Sequence, residues 1–145
     1  MKALIQRVKH ASVTIDGLLY SKIGAGLLVF LGVEKGDTEE NAKLLSQKLV
    51  NLRVFEDENG KMNKSLADVN GEMLVVSQFT LCGDCKKGTR PSFDKSAPPE
   101  IAENLYEKFV EFVKALSVPV ETGKFRAMMD VELLNDGPVT FLVEK

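Results

Sequence analysis

The chain has one histidine, two cysteines and no tryptophan among its 145 residues. A Ser-His-Asp or Cys-His site needs an imidazole to take the proton of the nucleophile, and only His10 could supply it. Cys82 and Cys85 form a single C-x-x-C pair, whereas a structural zinc ion usually takes four ligands. The sequence therefore predicts no metal site and no cofactor. We interpret the two thiols as incidental and keep a thiol or metal protein as an alternative.

Long apolar runs and a large excess of either charge are also missing. No run approaches the roughly 20 apolar residues of a membrane span. The formal net charge is −2, and one local basic cluster stands out, Lys86-Lys87-Gly88-Thr89-Arg90. A strand-like pattern begins at once at the first residue, without an apolar leader. These features predict a single domain, residues 1–145, that is cytoplasmic and makes no membrane contact.

Alternating apolar and polar residues predict several short strands. Asp16-Gly17 suits the two central positions of a type I′ hairpin turn, since both need positive φ. The segment 27–31 is apolar throughout, which predicts an interior strand covered on both faces. The predicted strands cover residues 2–8, 11–15, 18–23, 27–31, 53–55, 72–78, a short strand from Val120, 129–133 and 139–143.

Two segments have the 3.6-residue periodicity of helices. The first is predicted to start at Asp37 as its N-cap, with Glu40 completing a capping box. The second runs from Glu100 to about Leu116, with a buried stripe made of Ile101, Leu105, Phe109, Phe112 and Leu116. Strands outnumber helices and come in hairpins, so the sequence predicts an α+β fold with a mixed, mostly antiparallel, barrel-like sheet and two helices.

Two polar motifs lie at strand ends, where a rigid backbone can present groups to a ligand. Ser77-Gln78-Phe79-Thr80-Leu81 follows the apolar run that ends at Val76. Asn135-Asp136-Gly137-Pro138-Val139-Thr140 holds a Gly-Pro peptide, for which the cis form costs less than at other residues. Taken alone, either motif could be an ordinary strand end or a turn that opens a terminal strand.

Together the two motifs resemble those of the D-aminoacyl-tRNA deacylases, historically called D-tyrosyl-tRNA deacylases. The resemblance runs from end to end of the chain. It also includes, in the same order as in the family, Gln6-Arg7-Val8, Gly26 to Val29 through Gly32-Val33, Asn51 to Phe55, Gly60 to Asn63, and Lys87 to Phe93.

The resemblance implies a homodimeric, metal-independent esterase that separates a D-amino acid, or glycine, from the 3′ end of a tRNA. It implies that Gly137-Pro138 is cis and enters the pocket of the other subunit, where it binds the substrate amino group and excludes an L side chain. Arg7 would support that loop. Ser77, Gln78, Phe79 and Thr80 would line the adenosine and the reacting ester, in an active site at the subunit interface.

The sparse set of bases favours catalysis by the main chain. An aminoacyl ester is already activated, so N–H groups at Phe79 and Thr80 could stabilise the oxyanion without a protein base. Thr80 as a covalent nucleophile is the alternative. A module that binds an RNA end or a protein without turnover also stays open.

Overall fold

The computed structural model describes all residues, 1–145. The strands are β1 (Lys2–Ile15), β2 (Leu18–Ile23), β3 (Gly26–Gly32), β4 (Phe55–Glu56), β5 (Met62–Lys64), β6 (Glu72–Ser77), β7 (Val120–Thr122) and β8 (Asp130–Glu144). The helices are α1 (Glu39–Asn51) and α2 (Pro99–Ala115), and a short 3₁₀ helix covers Phe79–Cys82. None of the helices has the length and apolar character needed to cross a membrane.

β1 is the strand to which most of the sheet attaches. β8 pairs antiparallel with both of its halves, while β3 pairs with its N-terminal half and β2 with its C-terminal half, both antiparallel. β6 then adds to β3 in parallel, and β7 adds to β6 in parallel. β4 and β5 form a separate two-stranded ribbon. The predicted α+β fold with a mixed, barrel-like sheet and two helices is confirmed.

The sheet buries two separate apolar clusters, which we call the helix-side core and the barrel core. The helix-side core joins one face of the sheet to α1 and α2 and includes Ala3 and Ile5 of β1. The smaller barrel core includes Val8, Ala11 and Val13 of β1. Neighbouring side chains of a strand alternate between faces, so Val8 lies on the face opposite Ala3 and Ile5. Ala11 and Val13 share a core with Val8 only if the phase of the strand changes after Val8. The ladder to β8 shifts register between Val8 and His10, where this change occurs.

Most of the predicted strands were correct in place, but they were too short at two points. The predicted strand 53–55 overlaps β4 only at Phe55, and β5 was not predicted. The segments 2–8 and 11–15 form the single strand β1, with His10 exposed in its middle and paired with Leu134. Likewise the segments 129–133 and 139–143 belong to one strand, β8. Asp16 and Gly17 have the predicted positive φ, 52° and 76°.

The first helix begins one residue later than predicted. Thr38 is the N-cap, and its N–H donates to the side chain of Asn41 at 2.8 Å. Asp37 and Glu40 were therefore the wrong capping pair. The Asp37 carboxylate instead accepts hydrogen bonds from the amino group of Met1 (2.6 Å) and from the N–H of Glu34 (2.7 Å).

The buried face of α2 is also rotated from the predicted stripe. Leu105 and Phe109 are buried as expected, but Ile101 and Leu116 are exposed and Phe112 is only half-buried. The remaining buried positions are Ala102, Tyr106, Val110 and Val113. The Tyr106 hydroxyl donates to the carbonyl of Val75 in β6 at 2.8 Å, and its burial raises its pKa. The six buried positions follow i, i+3 and i+4 spacing, so apolar periodicity also fits this face, and the hydrogen bond to Val75 anchors it.

Gly137-Pro138 lies in a wide bulge of β8. Gln6 pairs with Thr140 and Val8 pairs with Asn135, so Arg7 alone faces the four residues 136–139. The interpretation of this segment as a turn that opens a terminal strand was wrong, because β8 continues in the same direction on both sides. The Gly137-Pro138 peptide is cis, as the resemblance implied.

Arg7 and Asn135 hold the base of this bulge. The buried Arg7 guanidinium donates through Nε to the Asp136 carbonyl (3.1 Å) and through Nη1 to the Val54 carbonyl (2.6 Å). Its Nε also lies 3.2 Å from the Asp136 carboxylate. The Asn135 amide donates to the carbonyls of Arg7 (3.0 Å) and Val139 (3.2 Å), so it bridges the two strands across the bulge.

We expect Arg7→Ala to lower the free energy of unfolding by about 2–4 kcal/mol, because it leaves buried acceptors without a charged donor. Urea unfolding measures the loss. The matched control is Arg53→Ala, which removes an exposed arginine and should cost less than about 0.5 kcal/mol. Equal losses in the two variants would show that the Arg7 contacts contribute nothing specific.

Candidate active site

The first motif continues directly from β6. Ser77 is the last residue of that strand and pairs with Leu31, and the N–H of Gln78 donates to the Leu31 carbonyl at 2.8 Å. The backbone is therefore fixed up to the point where the side chains become exposed. The Gln78 amide donates to the Thr80 hydroxyl, so these two side chains constrain each other.

The 3₁₀ helix leaves two main-chain donors free at its start. It begins at Phe79, and its first backbone hydrogen bond runs from the N–H of Leu81 to the carbonyl of Gln78 (3.2 Å). The amides of Phe79 and Thr80 precede that bond and have no acceptor within the helix. Both residues are exposed. Two adjacent N–H groups of this kind can stabilise an oxyanion if a substrate carbonyl reaches them.

A cleft of about 810 Å³ opens beside Ser77, Gln78 and Phe79. Its other walls come from the segment 93–99, from the first turns of α2 and from the segment 125–129 between β7 and β8. The lining is mainly apolar, with a few polar groups, which is typical of small-molecule sites. The cleft thus joins the end of β6 to parts of the chain that are distant in sequence.

Phe79 and Phe93 form an aromatic edge to the cleft. Their ring centroids are 5.1 Å apart and the planes are tilted by 55°. The Phe79 side chain is 60% exposed, and the Ser96 hydroxyl donates to its carbonyl at 3.4 Å. An exposed ring held in this way offers a flat surface on which a base can stack.

The predicted site residues divide into two groups in space. Ser77, Gln78 and Phe79 line the cleft, and Thr80 follows Phe79 in the sequence. Arg7, Gly137 and Pro138 do not line the cleft. Both motifs can be placed relative to β3, because Arg7 pairs with Leu27 of that strand and Ser77 pairs with Leu31. This offset of four residues is about 13 Å along the strands. One copy of the chain therefore does not bring the two motifs together.

The C-x-x-C pair lies beside a second, shallower cleft of about 430 Å³, also lined by Lys2, Asp84, Lys86 and Lys95. Cys82 is buried, its thiol donates to the Val33 carbonyl at 3.6 Å, and burial raises the pKa of this thiol. Cys85 is exposed. The thiolate is the reactive form, so the raised pKa makes Cys82 a poor nucleophile. No three His, Cys, Asp or Glu side chains cluster closely enough to hold a metal ion.

Several residues of the site were missed by the sequence reasoning. Phe93, Ser96 and the segment 125–129 line the cleft, and Asn135 with Asp136 fixes the bulge. The signal for Phe93 and Ser96 was the long aperiodic stretch 81–99, a kind of loop that is often functional. The segment 125–129 had no comparable signal. Asn135 and Asp136 belonged to the recognised motif but were given no role.

Comparison with known proteins identifies the family of the chain. The family model described as D-Tyr-tRNA(Tyr) deacylase matches residues 4–144. A protein of Thermosipho africanus named D-aminoacyl-tRNA deacylase is 59% identical over 144 residues, covering 99% of this chain and 97% of the relative. A protein of Desulfatibacillum aliphaticivorans with the same name is 60% identical and covers 99% of both chains.

Two solved structures are also similar. One, named c-Myc DNA Unwinding Element Binding Protein, superposes with a TM-score of 0.95 at 45% identity and covers 100% of this chain and 99% of its own. A probable eukaryotic D-amino acid tRNA deacylase superposes with a TM-score of 0.82 at 17% identity, which shows a shared fold. Because the family model spans nearly the whole chain and full-length relatives share more than half of its residues, this chain belongs to the D-Tyr-tRNA(Tyr) deacylase family.

Proposed function

We propose that this chain hydrolyses the ester between a D-amino acid and the 3′-terminal adenosine of a tRNA. Water attacks the ester carbonyl, the bond to the ribose oxygen breaks, and free D-amino acid and tRNA are released. The observation that carries the proposal is the full-length match to relatives named D-aminoacyl-tRNA deacylase, with Ser77, Gln78 and Phe79 of the shared motif lining the cleft. Charged tRNA is used in the cytoplasm, where we place the protein.

The chemistry of this proposal relies on the main chain. The free amides of Phe79 and Thr80 stabilise the oxyanion as the carbonyl becomes tetrahedral. Ser77 and Gln78 orient the ester and the adenosine. Thr80 is a weak candidate for a nucleophile, because its hydroxyl accepts from the Gln78 amide and no imidazole or lysine contacts it. Its side chain therefore positions Gln78 in this mechanism.

The proposed enzyme is a homodimer whose sites are shared between subunits. Two observations support this. Gly137-Pro138 lies away from the cleft of its own chain, on an exposed bulge. β8 also pairs with β1 alone, so its other edge is open, and exposed Leu134, Phe141 and Leu142 lie along it. A second copy could cover this strand and place its bulge in the first copy's cleft.

Chirality in this proposal is selected by exclusion. Gly137 and Pro138 of one subunit occupy the space that an L side chain would need and contact the amino group of the substrate. Selection by a clash needs no contact with the D side chain. Glycine, which has no side chain, is then also a substrate.

The first test compares D-aminoacyl-, L-aminoacyl- and glycyl-tRNA with the purified protein. We expect ester loss from the D and glycyl substrates and little from the L substrate. Thr80→Ala should keep activity within about tenfold, whereas loss of a true nucleophile costs 10³-fold or more. A trapped aminoacyl-Thr80 adduct would contradict the main-chain mechanism. Binding of charged tRNA without any turnover would favour the binding-module alternative.

The cysteines give a second test. We expect a Cys82→Ala, Cys85→Ser double variant to hydrolyse D-aminoacyl-tRNA within about threefold of the parent rate, since a metal site needs more ligands than this pair. The assay is repeated with a chelator present. Activity that disappears in the double variant or with the chelator, and returns with zinc, would support the metal alternative.

The shared site is tested by mixing two inactive subunits. Gly137→Val adds a branched side chain at the tip of the exposed bulge, and a Gln78→Ala, Phe79→Ala variant removes the cleft side of the site. Their heterodimer has one site with an intact cleft and an intact incoming bulge, so we expect part of the activity to return on mixing. Activity that never exceeds the sum of the two separate variants, with heterodimers confirmed by mass, would refute a shared site.

A further inference from the structure

Two cationic side chains, Lys35 and Arg126, line the apolar cleft. They come from separate segments, Lys35 after β3 and Arg126 between β7 and β8. None of the chain's salt bridges includes either of them. The other cleft differs, because there Lys95 lies 4.0 Å from the Asp84 carboxylate and Lys2 pairs with Glu34 at 3.3 Å. The apolar cleft thus carries two cations that no acidic side chain neutralises.

The backbone of Arg126 adds a second observation. Ala127 donates to the Lys124 carbonyl at 3.2 Å, which closes a turn, and Arg126 is the third residue of that turn with φ of 61°. Glycine is favoured at such a position. The other non-glycine residues with positive φ are Asp16, Asn70 and Ser117, all with short polar side chains. A long cationic side chain is thus kept at the cleft in a conformation that disfavours it, which is frequent at functional sites.

We propose that Lys35 and Arg126 bind the phosphodiester backbone of the single-stranded RNA that leads to the terminal adenosine. This rests on the proposed function, which puts that adenosine in the cleft. The mainly apolar lining suits a base and an aminoacyl group but offers nothing to a phosphate. Unpaired cations beside a stacking edge of Phe79 and Phe93 are the usual combination for single-stranded nucleic acid.

Phosphate recognition in this proposal lies at the apolar cleft and not at the basic cluster 86–90. Lys86 lines the second cleft, and no residue of that cluster lines the first. Lys35, in contrast, has a fixed main chain, since its N–H donates to the Lys95 carbonyl at 2.8 Å. Two cations on separately anchored segments can hold one strand from two directions.

Arg126→Gly is the most informative variant, because glycine suits the positive φ while the cation is lost. Lys35→Ala removes the second cation. Lys124→Ala is the matched control, since Lys124 is exposed in the same turn and does not line the cleft. Thermal melting confirms that each variant is folded, and Arg126→Gly should melt no lower than the parent.

Binding is measured by fluorescence anisotropy with an uncharged, labelled RNA that ends in CCA, across a range of salt concentrations. We expect Arg126→Gly and Lys35→Ala each to raise Kd about three- to tenfold near 0.1 M salt and to reduce the salt slope by about 0.7. Lys124→Ala should change neither. Hydrolysis of a D-aminoacyl RNA ending in CCA should fall by several-fold more than hydrolysis of D-aminoacyl-adenosine, which has no phosphate.

Absence of RNA binding by the parent protein, variants that behave like Lys124→Ala, or equal losses on both ester substrates would each overturn the inference. The proposed function fails in a different way. If the parent binds the RNA through these two cations but cleaves no D-aminoacyl ester, the phosphate contacts stand and the hydrolase proposal does not.

Discussion

The pairing of β1 on both of its edges is the constraint on which the rest of the structure depends. β8 follows one edge along almost the full length, and β3 and β2 share the other, so every later strand of the sheet is attached directly or through β3. Alternation takes Val8 to the barrel core, and the phase change after Val8 keeps Ala11 and Val13 in that same core. The same stretch of ladder contains the bulge. In the bulge one residue of β1 faces four residues of β8, so backbone carbonyls there lack the usual N–H donors from the neighbouring strand. The Arg7 guanidinium and the Asn135 amide donate to these carbonyls instead.

Much of the fold could be predicted from local pattern. Alternation located most of the strands, and Asp16-Gly17 located the first hairpin. The uniformly apolar segment 27–31 was correctly placed in the interior between β1 and β6. Errors arose where two overlapping sets of residues offered nearly equal local patterns. On α2 both the predicted stripe and the buried face have helical spacing, and on α1 the cap is formed by Thr38 with Asn41 and not by Asp37 with Glu40.

The site was only partly accessible to the same reasoning. Family resemblance identified both motifs, and family membership is confirmed. The roles of Arg7, Ser77, Gln78, Phe79, Thr80, Gly137 and Pro138 stay predictions. The walls of the cleft could not be predicted, because they depend on long-range pairing that has no local signature. The segment 125–129 follows β7, which reaches Ser77 through parallel pairing with β6, and Phe93 is held by the bridges of Ser92 to Asp84 and of Ser96 to Glu34. For the same reason nothing in the sequence linked Lys35 to Arg126.

The division of the interior into two cores has a consequence for motion. Val75 and Val76 of β6 lie in different cores, so the wall of the cleft that carries Ser77 is held from both faces of the sheet. The facing wall, at Met129 and Val131, packs as half-buried side chains against the smaller barrel core. Local opening costs least where few apolar groups are buried. The two walls therefore differ in stiffness, and the cleft can widen by movement of the segment 125–129, which lies outside the strands, while β6, β8 and the helices keep their packing.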